Sequence, residues 1–222
     1  MLPLMLELTI HEARAVGVLV EKAQTTPDQY PLSLNALTNG ANQKNNRDPV
    51  MELTEDDVLT AVIGLREKGL LIQSDTPGAR VSKYRHNALD ALGISLRELV
   101  ILAELLLRGP QTIGELRGRA SRMHGFDTLE MVQSTLDTLL GKPEPLVRRL
   151  SPSPGSRAER YTQLLCPETI PDSAAEAAPS SFDPSVSAAA PTLSQRVTQL
   201  ESDVTQLKSL LDKLCTDLGV TK

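Results

Sequence analysis

Apolar residues recur at helical spacing in three successive blocks, and the same order of blocks then runs a second time. In the first run Ala13, Val16 and Val20 share a face, followed by Leu34 and Leu37, then Val58, Val62 and Leu65. In the second run the positions are Leu99, Leu102 and Leu106, then Ile113 and Leu116, then Val132, Leu136 and Leu139. Start signals agree with the blocks. Thr9-Ile-His-Glu12 and Ser95-Leu-Arg-Glu98 read as capping boxes, as does Thr112 with Glu115. Second helices are expected from Ser33 and Thr112, and third helices from near Thr54 and Thr128. Each run then reaches an apolar strand start, Leu70-Leu71-Ile72 or Leu146-Val147, a Pro-Gly turn, and a return strand through Tyr84 or Tyr161.

The turns repeat in detail. Pro77-Gly-Ala-Arg-Val-Ser-Lys-Tyr84 returns as Pro154-Gly-Ser-Arg-Ala-Glu-Arg-Tyr161, 77 residues later (154 − 77). Helix, helix, helix, two-stranded hairpin is the order of a winged-helix domain, with the Pro-Gly turn as the wing. The pattern therefore predicts a mainly α chain with small β-hairpins (α+β), built as two tandem winged-helix domains over residues 1–90 and 91–166. The halves differ between second and third helix, where Asn42-Gln-Lys-Asn-Asn-Arg-Asp-Pro49 stands against Arg117-Gly-Arg-Ala-Ser-Arg-Met-His124. The Asn-rich stretch reads either as a loop bonding its own backbone or as a surface where Lys44, Asn45 and Arg47 meet a partner.

Longer stretches carry a resemblance. Thr25-Thr-Pro-Asp-Gln-Tyr-Pro-Leu-Ser-Leu-Asn-Ala-Leu-Thr38, with Asn42-Gln-Lys44 and Asn46-Arg-Asp-Pro-Val50, resembles the YceH family of bacterial proteins. Leu105-Leu-Leu-Arg-Gly-Pro-Gln-Thr112, Gly114-Glu-Leu-Arg117 and the Gly-x-Arg-x-x-Lys-Tyr-Arg-His run ending at His86 extend it over about residues 8–166. The resemblance implies tandem winged helices. It brings no biochemical activity with it.

Beyond residue 166 the pattern changes. Residues 167–192 are Pro, Ala or Ser at 17 of 26 positions, too few apolar groups to bury, which predicts a disordered linker. Leu193, Val197, Leu200, Val204, Leu207, Leu211, Leu214 and Leu218 then follow at alternating four- and three-residue steps, a heptad seam that predicts a coiled-coil helix over 193–218. Valine at two a positions with leucine at d favours a parallel dimer, and Arg196 facing Glu201 and Asp203 facing Lys208 agree with it. The alternative is an amphipathic helix folded against its own globular part.

Charge then narrows the function. Residues 1–166 hold 19 basic and 20 acidic side chains, without the bulk basicity of a protein that coats nucleic acid. The cations gather on the hairpins: Arg80, Lys83, Arg85 and His86 on the first, Arg148, Arg149, Arg157 and Arg160 on the second. Arg117, Arg119 and Arg122 add a basic stretch. Such groups would hold phosphates; alternatively they are solvated tips, with Lys83 and Arg160 covering apolar surface.

The third helices oppose DNA reading. The first opens Glu55-Asp56-Asp57 and presents Thr60, Gly64 and Glu67 outward; the second presents Glu130, Gln133, Ser134 and Asp137. Those acids suit a helix N-terminus and repel phosphate.

His11, His86 and His124 are dispersed, and no phosphate-cradling or nucleophile-elbow motif occurs, so no catalytic residue, metal or cofactor is expected. Cys166 and Cys215 lack a pairing spacing, and no apolar run approaches membrane-span length, which predicts a cytoplasmic chain. Two functions follow: a dimeric regulator holding duplex DNA by its hairpins, or a protein–protein adaptor.

Overall fold

Ten consecutive residues of the first helix, Glu12 to Glu21, are buried, more than one amphipathic stripe would bury, because a second helix lies along it. The computed structural model describes residues 6–74, 81–152 and 158–169, and within them the fold is mixed α+β with seven α-helices and small antiparallel sheets. Arg80, Arg157, the 193–218 seam and residues 170–192 of the linker lie outside the described residues. Pro167–Thr169, the start of that linker, forms one 3-10 turn.

The first half runs α1 (Ile10–Thr25), β1 (Leu32–Ser33), α2 (Leu34–Ala41), α3 (Glu55–Glu67), β2 (Leu71–Ser74) and β3 (Lys83–His86). A short helix α4 (Ala88–Leu92) joins it to α5 (Leu96–Arg108), α6 (Ile113–Ala120), α7 (Leu129–Leu140), β4 (Val147–Leu150) and β5 (Arg160–Gln163). The caps fall where the sequence puts them. Thr9, Ser95 and Thr112 each accept from the backbone three residues on while Glu12, Glu98 and Glu115 reach back, and Ser33, Thr54 and Thr128 cap α2, α3 and α7.

The two halves share sheet register as well as order. β1 joins β3 through Leu32 and Tyr84, and in the second half Gln111 bridges Tyr161 in the same antiparallel sense. β2 pairs β3 from Leu71–His86 to Ser74–Lys83, and β4 pairs β5 from Val147–Gln163 to Leu150–Arg160.

The core lies between α1 and α5. Leu99 through Leu105 and Leu107 of α5 are buried, and Val16, Val18, Leu19 and Val20 of α1 meet them in one hydrophobic cluster. The two helices approach closely at Gly17, where a Cβ would stand 2.9 Å from Leu107 Cγ. Backbone bonds also cross between the halves: Leu8 N–H donates to Leu165 O at 2.6 Å and Asp48 N–H to Leu107 O at 2.9 Å. Among the described residues no helix is long and apolar enough to cross a membrane.

Candidate functional site

The cations that the sequence gathers into candidate phosphate-binding groups separate into three fates. The first is burial. Arg47 is a correction: rather than facing a partner, it is buried, with its side chain fully enclosed. Its guanidinium donates to both Glu21 carboxylate oxygens, to Gly40 O and to Gln43 Oε1. The Asn42–Pro49 stretch is thus pinned inward. Arg14 donates to Ala41 O at 3.1 Å and Pro49 O at 2.6 Å, and Asn42 exchanges two 2.8 Å bonds with the Leu53 backbone. Burial, followed by the nearby Arg47 charge, lowers the Arg14 pKa to about 10. Of the three residues in the surface reading, Lys44 and Asn45 are exposed.

The second fate is pairing. Arg122 bridges the halves, donating to Glu21 of α1 and, at 3.1 Å, to Glu104 of α5, while Arg108 lies 3.2 Å from the same Glu104. Burial alone would raise the Glu21 pKa, but Arg47 and Arg122 reverse this and hold its carboxyl below the ordinary range. Arg119 pairs with Glu115 at 3.2 Å and donates to Gln111 Oε1 at 2.8 Å. On the second hairpin Arg149 pairs with Glu159 at 3.4 Å and lies 5.7 Å from the centre of the Tyr161 ring. Arg148 and Arg160 are half-buried, each with an enclosed Nε.

The third fate is exposure without an ion-pair partner, which among the described candidate residues of the hairpins belongs to Lys83 and Arg85 on β3. They alternate with Tyr84, which is buried, and His86, whose backbone N–H donates to Tyr30 Oη at 2.6 Å. Burial, then the Arg85 charge, pushes the His86 pKa down, so its ring belongs to the packing.

The outward faces of the third helices carry little positive charge. On α3, Leu59 and Ile63, one turn apart, are 38% and 48% exposed beside Asp56 and Glu67, with Arg66 at the edge. Gly64 is a second correction: it faces α1, where an added Cβ would strike the Glu12 carboxylate, and so lies on the inner side. Asp57 closes the Thr54 cap, and Glu55 accepts from Asn35 Nδ2 at 3.0 Å. The equivalent face of α7 borders a groove of about 750 Å³ lined by Ile113, Leu129, Glu130, Gln133, Ser134, Asp137 and Thr138, with acids as the only charged groups among these described residues.

Sequence reasoning missed the buried partners. Glu21 and Glu104 look like ordinary helical acids, and only their position on the inner faces of α1 and α5 would have signalled a pairing role. No group of three or more metal-ligating side chains occurs among the described residues.

These features define a mixed α+β protein in which the order of elements repeats and the halves share a core locked by buried ion pairs. The family described as "Protein of unknown function, DUF480" matches residues 8–169, and the chain belongs to it. A UPF0502 protein of Geotalea daltonii is 50% identical over 168 residues, covering 76% of each chain. Another from Koribacter versatilis is 52% identical over 160 residues, 72% of this chain and 74% of that one. One from Burkholderia pseudomallei strain 668 is 48% identical over 172 residues, 78% and 73% of the two chains.

Proposed function

We propose that the protein is a non-enzymatic adaptor: two tandem winged-helix domains whose third helices dock a protein partner, dimerised by the 193–218 heptads. The observation that carries this reading is the outward face of α3. Leu59 and Ile63 offer an apolar ridge edged mainly by acids, a surface complementary to a protein segment with apolar and basic side chains and repulsive to phosphate. The fate of the cations supports it too. Arg47, Arg122, Arg119 and Arg149 already have carboxylate partners within the chain.

A second reading rests on Lys83 and Arg85. Two adjacent exposed cations on the first hairpin suit duplex DNA bound along its phosphates, with affinity falling steeply as salt rises.

One experiment separates them. A photo-crosslinking side chain is placed at Ile63 or at Arg85 in living cells, and adducts are resolved with and without nuclease. The adaptor reading expects a discrete, nuclease-resistant protein adduct at Ile63 that Leu59→Asp abolishes. Nucleic-acid adducts at Arg85 with none to protein at Ile63 would reverse the choice.

A further inference from the structure

The segments that enter α1 and α5 and those that leave α3 and α7 meet around one cleft of about 740 Å³. Leu6, Leu92, Leu146 and Leu165 give it an apolar lining, and Lys68 and Lys142 enter its wall. The size lies within the range of roughly 300–1,000 Å³ typical of small-molecule sites. The two lysines are counterparts in the internal repeat, each placed just after a third helix. Lys68 Nζ pairs with Glu12, the capping-box acid of α1, and Lys142 Nζ lies 3.3 Å from Glu98, the capping-box acid of α5.

The lysine donors left over at this end of the molecule decide what fits. Each ammonium meets one carboxylate, and that carboxylate also accepts from the helix-capping backbone, Thr9 N–H or Ser95 N–H, both at 2.8 Å. Each helix N-terminus adds roughly half a positive charge and the end of α3 or α7 beside each lysine about half a negative one, so a lysine, its glutamate and the two helix ends are together close to neutral. A lysine ammonium has three donors, and its glutamate does not consume them all. Glu7 and Glu144 also line the cleft, but both are exposed, whereas the Lys68 and Lys142 side chains are 30% and 23% exposed. The two acids therefore stand toward the rim, and the spare lysine donors, rather than a net positive charge, are what an anion meets in the wall.

We infer that this cleft binds a small amphipathic acid, with its apolar body on the leucines and its carboxylate between Lys68 and Lys142. The site draws equally on both halves. It is separate from the outward face of α3 and does not depend on what that face docks.

The test uses the full chain with decanoate as probe and decanol as its uncharged counterpart, followed by isothermal titration calorimetry. Decanoate binds at one site per chain and decanol far more weakly. The Lys68→Met/Lys142→Met variant keeps the alkyl volume and weakens decanoate about tenfold or more, as expected for a lost charge-assisted bond. Lys68→Arg/Lys142→Arg retains binding. Because the methionine variant leaves Glu12 and Glu98 unpaired, Leu92→Trp provides an independent check: it fills the cleft from a half-buried position and abolishes binding while the melting transition persists. Equal affinity for decanol, no response to the methionine pair or to Leu92→Trp, or no binding of decanoate each overturns the assignment.

Discussion

Glu21 shows how a single residue decides what a cation is for. Its carboxylate, almost wholly enclosed, takes Arg47 from its own half and Arg122 from the other. Two side chains that read as candidate phosphate ligands thereby become internal partners. Breaking a buried pair leaves an uncompensated charge, so Glu21→Gln should cost about 3 kcal/mol or more in urea denaturation. The pH dependence has a definite sign. The Glu21 pKa is lower folded than unfolded, so its contribution is complete above the unfolded value and lost as pH falls through the folded one. Melting temperature should therefore fall more steeply on acidification in the natural chain than in the Glu21→Gln variant. Parallel acid limbs would show that the carboxylate is not held as described.

At the scale of elements, the contact between α1 and α5 leaves little room for change. Gly17 lets α1 approach α5, and an added Cβ would meet Leu107 Cγ and Cδ2 at 2.9 and 3.0 Å. Gly17→Ala should therefore destabilise by about 1–3 kcal/mol through overpacking, despite alanine's better helix propensity. A raised urea midpoint would mean that Leu107 repacks without cost.

Such close approach is invisible in the sequence, whereas the helices themselves were legible. Capping boxes at Thr9, Ser95 and Thr112 announce their starts through local chemistry. Of the labelled helices and strands, two escaped. β1 has two residues, too few to show alternation, and α4 has five, too few for a helical face. At the candidate site, the basic character of the first hairpin was legible in Lys83 and Arg85, but the burial of Arg47 was not. Its partner Glu21 is 26 residues away and faces inward only because α5 covers α1.

For the whole molecule, the repeat suggests two domains, yet the halves hold each other's buried surfaces. α1 contributes its apolar face to α5, Arg122 ties Glu21 to Glu104, and Leu8 and Asp48 donate backbone bonds to Leu165 and Leu107. A half taken alone would expose the α1–α5 core and break the Glu21–Arg122 bridge, leaving Glu21 to Arg47 or Arg122 to Glu104. Residues 1–90 alone should consequently lack a cooperative melting transition, and the full chain should show one transition for the described fold. Calorimetry of the full chain should give a measured unfolding enthalpy close to the van't Hoff value, the mark of an all-or-none transition. Two resolved transitions, or a cooperative melt of residues 1–90, would mean that each half carries a sufficient core of its own. In that case the Arg122 bridge would orient two stable domains rather than complete one.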